Sequence, residues 1–328
     1  MGDLIDELVT DRTAAGITPL RRPIAGRARF AAFALIVLGA LLLAAPVATQ
    51  MFSRAPQGAM MLSDFKPFMT PDRLAGFSRD IATIDGSVAE LDAAGARGLS
   101  PAYADFSSAW PRINDDMSGL MDDVTDNLDN YQAVAGLPSF SLFPWFFVAP
   151  GVILVGVGAS VLLRRRWSRG AQVGLAVIGI GLVAAPLAFG MFSKAPKGGE
   201  MMDAFQSLET TENVTRIQGY FSTMAVGQGA IRLEVVPALE KAGTTAAGFV
   251  TAFPATEKLN RDWVHILNDM TPMIGAMSDN VDSYDALTAL PPFPLFPWFF
   301  LIPGAVIVGL VVLAGRPRRT DTPPGGTP

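Results

Sequence analysis

A row of carboxylates gives the sequence its clearest candidate for chemistry. Successive residues of an α-helix are rotated by about 100°, so a helix through residues 111–131 places Asp115, Asp122, Asp126 and Asp129 on one face, opposite its apolar stripe. Such carboxylates could bind Ca²⁺, but the glycine and the terminal glutamate of a calcium-binding loop are missing. The pattern favours a solvated helix face, with a cation site as the alternative.

Acidic residues recur on a second predicted helix, 153 positions later in the chain. The matching acidic positions are Asp116, Asp126, Asp129, Asp269, Asp279 and Asp282. We interpret them as a candidate acidic face. His265, the only histidine, stands where the first helix has Arg112, and no second ligand lies near it in sequence. We therefore predict an ordinary surface or packing residue there.

A second repeated motif combines aromatic residues with proline. Leu-Phe-Pro-Trp-Phe-Phe occurs at 142–147 and again at 295–300, and a Pro-Gly pair follows each copy. The candidate positions are Trp145, Trp298, Pro144, Pro297, Pro150 and Pro303. Tryptophan prefers the interface between lipid and water, and a proline inside a helix bends it. The motif is typical of an aromatic belt beside a kinked span; a lipid-binding or partner-docking element is the alternative.

Four long stretches without a charged residue must position these motifs. They cover residues 30–53, 130–163, 170–193 and 286–315. A helix needs about 20 apolar residues to cross the hydrocarbon core of a bilayer, and every stretch is long enough. The whole chain has only 17% charged residues and a mean hydropathy of +0.35. We predict membrane spans at 30–48, 142–163, 171–189 and 295–315.

Basic residues predict how these spans are oriented. Arginines cluster before the first span, between the second and third, and after the fourth: Arg21, Arg22, Arg27, Arg29, Arg164, Arg165, Arg166, Arg169, Arg316, Arg318 and Arg319. The positive-inside rule places such short flanks in the cytoplasm. The expected arrangement is a multi-pass plasma-membrane protein with a cytoplasmic segment at 1–29, a cytoplasmic Arg-rich loop at 164–170 and a disordered cytoplasmic tail at 316–328. The acidic segments 49–141 and 190–294 then lie outside.

The chain reads as one unit written twice. Met51-Phe-Ser-Arg-Ala-Pro-Gln-Gly58 recurs as Met191-Phe-Ser-Lys-Ala-Pro-Lys-Gly198, 140 residues later, and the offset grows to 143 and then 153 along the chain. Between the spans, apolar residues recur at alternating steps of three and four, which is typical of packed helices. The sequence predicts an all-α integral membrane protein with four transmembrane helices in two tandem repeats, each with its own extracytoplasmic helical bundle.

Composition narrows the function classes. The chain has no cysteine, so thiolate metal sites are excluded. Its one histidine has no counterpart in the other copy, no set of nucleophile, base and orienting residue can be proposed, and phosphate-binding glycine loops are missing. We expect no enzyme, no cofactor, no metal and no nucleic-acid partner. A transporter or channel normally carries ionisable groups at membrane depth, and the predicted spans carry none.

The remaining expectation is a membrane scaffold or accessory subunit of the cell envelope. Its partners would be the lipid bilayer, an envelope or membrane protein bound through the acidic outer domains, and possible further copies of the chain. A transporter or channel subunit, or a lipid-handling protein using the kinked spans, is the alternative. The Ala-Pro pairs at 45–46 and 185–186, the Pro-x-Gly that follows each, and the abundance of arginine over lysine resemble four-span membrane proteins of actinobacteria. That resemblance covers Phe30 to Gly315 and implies no function.

Overall fold

The computed structural model describes residues 26–164, 166–206 and 208–315 of the 328-residue chain, and within these ranges it is helical without strands. The α-helices are α1 (Gly26–Ala48), α2 (Met51–Phe65), α3 (Pro71–Ala93), α4 (Pro101–Asp126), α5 (Leu128–Ala135), α6 (Phe143–Arg164), α7 (Arg169–Ala188), α8 (Met191–Phe205), α9 (Thr211–Ala230), α10 (Val236–Lys241), α11 (Ala246–Ala252), α12 (Pro254–Thr288) and α13 (Phe296–Gly315). Short 3₁₀ turns lie at Ala96–Gly98, Phe140–Leu142 and Phe293–Leu295, and a π turn lies at Ile231–Val235. The all-helical prediction is confirmed. The predicted tail at 316–328 and most of the predicted N-terminal segment lie outside the described residues.

Among the described residues, four helices are long and apolar enough to cross a membrane, as predicted. These candidate spans are Gly26–Ala48, Phe140–Arg164, Arg169–Ala188 and Phe293–Ala314, with mean hydropathies of 2.0 to 2.6. They pack as two pairs, α1 with α6 and α7 with α13, and α1 also lies against α13. Large apolar side chains such as Phe33, Leu41 and Val177 remain exposed on their outer surfaces. A membrane location is compatible with these surfaces, since lipid would cover them.

Glycine permits a close approach within each pair of spans. A Cβ added to Gly39 would lie 2.7 Å from the carbonyl oxygen of Gly151, and one added to Gly304 would lie 2.8 Å from the carbonyl oxygen of Gly179. Both distances are too short for any larger residue. Small residues at such crossings let two membrane helices pack backbone against backbone, so these glycines fix the geometry of both pairs.

The prolines of the repeated motif occupy two kinds of position. Pro144 and Pro297 are buried in the first turns of α6 and α13. The first turn suits proline because the N–H that it lacks has no helical partner there. Pro150 and Pro303 lie inside the same helices, which continue through them.

The two tryptophans of the motif face outward beside the same helix starts. Trp145 is 58% exposed and Trp298 is 47% exposed. Each makes an edge-on contact with a phenylalanine of the helix that follows a span: Phe52 at 5.7 Å and Phe192 at 5.8 Å between ring centroids. The contacts hold each ring beside the junction of span and outer helix.

The helices outside the spans interleave. We call residues 26–164 the first half and residues 166–315 the second half. Helix α12 of the second half packs against α2 and α3 of the first, α8 packs against α5, and α9 packs against α4. Their apolar side chains form one continuous core. In place of the predicted separate bundle in each repeat, the structure therefore has one bundle built from both halves. We call these helices, at 51–135 and 191–288, the outer bundle because they lie outside the candidate spans.

The apolar stripes explain why sequence periodicity does not determine whether a helix packs within its own half or against the other half. A stripe predicts that a helix face is buried, but it does not say which helix covers it. Gly58 of α2 faces Leu287 of α12, so closely that an added Cβ would lie 2.0 Å from the leucine Cδ1. Gly198 of α8 likewise faces Val134 of α5, and a Cβ added to Gly198 would lie 3.2 Å from the valine Cγ2. Leu287 and Val134 occupy positions 153 residues apart, so the exchange between halves is reciprocal.

Local signals set where the outer helices begin. Thr70, Ser100 and Thr210 cap α3, α4 and α9 by accepting a hydrogen bond from the backbone N–H three residues later. Left-handed residues separate two spans from the helices after them: Gln50, with φ of 54°, ends α1, and Gly190, with φ of 62°, follows α7. These two breaks turn the chain from the spans into the outer bundle.

Candidate functional site

Two reciprocal ion pairs join the halves in the outer bundle. Arg73 Nη1 lies 3.2 Å from Asp269 Oδ2, and Arg216 Nε lies 3.7 Å from Asp116 Oδ2. Asp116 also accepts a hydrogen bond from the hydroxyl of Tyr220. Two of the six predicted acidic residues are thus engaged between the halves rather than presented together on one open face.

A polar cleft of about 690 Å³ lies between α3 and α12, beside the Arg73–Asp269 pair. Its walls carry four basic residues and four acidic residues: Arg73, Arg79, Lys258 and His265, with Asp72, Asp80, Asp262 and Asp269. The two walls come from different halves of the chain. The cleft therefore exists only when the halves are assembled, and this mixture of charges is the candidate functional site.

Part of this charge is already paired within the cleft. Lys258 Nζ donates to Thr83 Oγ1 at 2.9 Å and lies 3.3 Å from Asp262 Oδ2. Arg79 instead donates from Nε to a carbonyl of its own helix at 3.1 Å, and the ion pairs found among the described residues do not include it. Asp72 also takes part in none of these ion pairs, so Arg79 and Asp72 keep charge available to a bound molecule.

The carboxyl of Asp80 is the electrostatically perturbed group of the cleft. Burial raises its pKa first, and the negative charge of Asp269 raises it further, while His265, Lys258 and Arg79 act in the opposite direction. His265 itself lies with Nε2 3.4 Å from Asp269 Oδ2. Asp80 consequently takes up a proton at a higher pH than an exposed aspartate does, so the cleft loses this negative charge earlier as the pH falls.

A carboxylate from the first half holds the start of α12 beside the cleft. Glu90 accepts hydrogen bonds from the backbone N–H groups of Ala255 and Thr256 at 2.8 and 2.9 Å, and from the Thr256 hydroxyl at 3.0 Å. Ser87 donates to the same hydroxyl oxygen at 3.0 Å. Helix α12 has no side-chain cap of its own, so Glu90 satisfies its free N–H groups and fixes one wall of the cleft.

The other four predicted acidic residues lie apart from the cleft. Asp126, Asp129, Asp279 and Asp282 are exposed. Among the described residues no three histidine or carboxylate side chains come together in a way that could hold a metal ion. Trp145 and Trp298 lie at the span junctions and do not line the cleft.

A second cavity is small, enclosed and almost entirely apolar. It measures about 30 Å³, which is room for about one water molecule. Matching positions of the two halves face each other across it: Phe65 with Phe205, Phe68 with Leu208, Met69 with Glu209, Leu120 with Met273, and Val124 with Met277. Glu209 is only 6% exposed, and its Oε2 has no hydrogen-bond partner. Burial raises the pKa of this carboxyl to about 8.

Sequence reasoning missed Arg73, Glu90 and Glu209 as site residues. The recurrence of Arg73 as Arg216 was a signal that could have indicated the paired interaction. Glu209 follows an apolar residue and precedes a capping threonine, and the matching residue in the first half is Met69, so a comparison of the two halves would have singled it out. Glu90 carries no comparable signal, because the helix that it caps lies 165 residues away.

Comparison with family models, with curated proteins and with solved structures finds no match to this chain.

Proposed function

We propose that this protein is a non-enzymatic membrane scaffold or accessory subunit of the cell envelope, and that it binds a protein partner through the cleft between α3 and α12. In this proposal the two halves are tandem repeats related by an axis along the membrane normal. The termini and the Arg-rich loop face the cytoplasm of a plasma-membrane protein, and the interleaved bundle stands on the other side.

The single observation that carries the proposal is the charged cleft. Its volume of about 690 Å³ is within the range of ligand sites, yet its walls are charged rather than apolar. Charges of both signs favour specificity and orientation of a polar partner segment over burial of an apolar ligand. Arg79 and Asp72 offer one free charge of each sign. A loop or helix end of another protein, carrying complementary charges, fits this chemistry.

In-cell crosslinking tests the proposal. A photoreactive amino acid placed at Gly76 or Ala82, both of which line the cleft, is expected to form an adduct with a protein. The matched control places it at Leu99, which is exposed outside the cleft and is expected to give no such adduct. Reversing one free charge with Arg79→Glu should remove the cleft adduct. Adducts with lipid alone, or adducts indifferent to Arg79→Glu, would refute a protein-binding cleft.

Sidedness can be tested with single cysteines, since the chain has none of its own. Gly98 and Gly170 are both exposed, and a Cβ at either would meet no atom within 4 Å. In intact cells, a membrane-impermeant maleimide is expected to label Gly98→Cys and to spare Gly170→Cys until the cells are opened. The reverse pattern would invert the topology and remove the cleft from the envelope side.

Transport remains the alternative function. Apart from Arg27 and Arg29 in the first turn of Gly26–Ala48, the four candidate spans carry no charged residue between their end residues. Glycines also bring the two helices of each pair into close backbone contact. We therefore expect no ion flux when the purified chain is reconstituted in liposomes. A flux that is abolished by Gly39→Leu, which separates α1 from α6, would favour a channel over the scaffold.

A further inference from the structure

An open groove lies between α6 and α7, at the end of the spans remote from the outer bundle. It measures about 520 Å³. Gly156, Val157 and Val161 line its apolar part, and Arg164, Arg166 and Trp167 line its end. The groove exists because α6 and α7 make little contact with each other, whereas α1 and α13, the matching helices, pack together.

The described residues at this end of the spans include five arginines. Arg27, Arg29, Arg164, Arg166 and Arg169 all lie at it. The sequence holds no aspartate or glutamate between residues 30 and 63 or between 130 and 199. Among the described residues, none of these five arginines forms an ion pair. The groove therefore combines an apolar floor with guanidinium groups that have no ion-pair partner among the described residues.

Trp167 adds a third feature to the groove. It is half-buried, and its Nε1 donates to the carbonyl oxygen of Ala28, at the start of α1, at 3.4 Å. An indole between apolar and polar surroundings is typical of the membrane interface. The groove thus runs from hydrocarbon depth, beside Gly156, to the headgroup level, beside Trp167.

We propose that this groove is a binding site for one anionic phospholipid. The phosphate of the headgroup would lie between Arg164 and Arg166, and one acyl chain would run along the surface of Gly156 and Val157. Charge complementarity carries the choice of an anionic lipid, because basic pockets between spans bind such headgroups. The apolar floor favours a lipid over free phosphate, which would gain nothing from Gly156 or Val157.

Quenching of tryptophan fluorescence by brominated lipids tests the site in the full chain. The outer interfacial tryptophans are first replaced by Trp145→Phe and Trp298→Phe, which leaves Trp167 as the tryptophan beside the bilayer. The chain is reconstituted in phosphatidylcholine vesicles containing brominated phosphatidylglycerol or brominated phosphatidylcholine. We expect the anionic lipid to quench Trp167 more strongly at equal mole fraction. Arg164→Gln with Arg166→Gln should lower that preference roughly tenfold or more.

Matched variants separate this site from general surface charge. Arg27→Gln with Arg29→Gln removes two charges at the same end outside the groove and should leave the preference unchanged. Gly156→Leu, at a position where an added Cβ meets no atom within 4 Å, should fill the groove and abolish the preference. Gly309→Leu, equally open but on α13, should preserve it. Equal quenching by the two lipids would overturn the proposal, and so would an equal loss of the anionic preference in the two double arginine variants. Quenching by neither lipid would also overturn it, since it would show that a second copy covers the groove.

Discussion

The two halves of the chain make the same reciprocal ion pairs, but the surroundings of the two pairs differ. Arg73 pairs with Asp269 and Arg216 pairs with Asp116, but only the second pair is joined by a tyrosine hydroxyl, from Tyr220. The cleft beside the first pair measures about 690 Å³, while the one beside the second measures about 260 Å³.

Comparison of the two halves separates contacts that hold the molecule together from residues that make one half different from the other. The glycine crossings and the arginine–aspartate pairs occur in both halves, so we assign them to assembly. Among the positions that differ between the halves, three change the chemistry near these sites: Phe77 and Tyr220, Arg112 and His265, and Met69 and Glu209. The first two lie near the clefts and the third at the central cavity, so we assign these differences to specialisation.

The largest expected effect tests whether both glycine crossings matter equally. Gly39→Leu and Gly179→Leu force a side chain into a space where a Cβ alone would lie 2.7 Å and 3.0 Å from a facing carbonyl oxygen. Each should cost more than about 3 kcal/mol, since overpacking and the loss of span contacts add. Thermal unfolding followed by circular dichroism in detergent should show a large fall in Tm for both. Gly309→Leu, in open space, is the control. A fall in Tm for only one of the two variants would show that one pair of spans contributes most of the assembly.

Glu209 offers the next largest effect, and the size of that effect depends on pH. Its pKa is raised from 4.5 to about 8, so between these values the unfolded chain loses a proton that the folded chain retains. Folding stability should therefore be full below pH 4.5 and should fall as the pH rises towards 8. Glu209→Met copies the matching Met69. It should stabilise the protein by about 2–3 kcal/mol at pH 8 and much less at pH 5.

The control for this prediction is Glu200→Gln, which removes an exposed carboxylate from α8. It should leave the dependence of Tm on pH unchanged. If Glu209→Met retains the wild-type dependence of Tm on pH, Glu209 is ionised in the folded protein and the burial argument fails.

Particular residues show how much of this architecture is legible in the sequence. The four candidate spans can be predicted from the length of the uncharged stretches, and Thr70 indicates the start of α3. Both are local signals. The pairing of Arg73 with Asp269 depends on contacts between helices almost 200 residues apart, which no periodicity encodes. For the same reason, helix geometry could not show that Asp116 and Asp269 meet arginines of the other half.

Removing Glu90 should give an intermediate effect and test how firmly the first half holds the cleft. Glu90→Ala leaves the N–H groups of Ala255 and Thr256 without their acceptor, which should cost about 2 kcal/mol. The matched variant in the other half is Glu234→Ala, because Glu234 accepts only one hydrogen bond near a helix start, from Ser100 Oγ at 2.5 Å. It should cost about 1 kcal/mol. Equal losses of Tm would show that neither cap has a special role. The crosslinks from Gly76 should also weaken in Glu90→Ala only.

The smallest expected effect lies at the two left-handed breaks after α1 and α7. Gln50 adopts φ of 54°, whereas the matching break has Gly190 at 62°. A left-handed conformation costs a residue with a Cβ about 1 kcal/mol relative to glycine. Gln50→Gly should therefore raise stability by up to about 1 kcal/mol, and Gly190→Gln should lower it by about the same amount. Denaturation of both single variants and of the exchanged double variant measures this directly. The double variant should match the wild type, since the penalty only moves between halves; a clear loss would mean that Gln50 makes a stabilising contact that its backbone strain conceals.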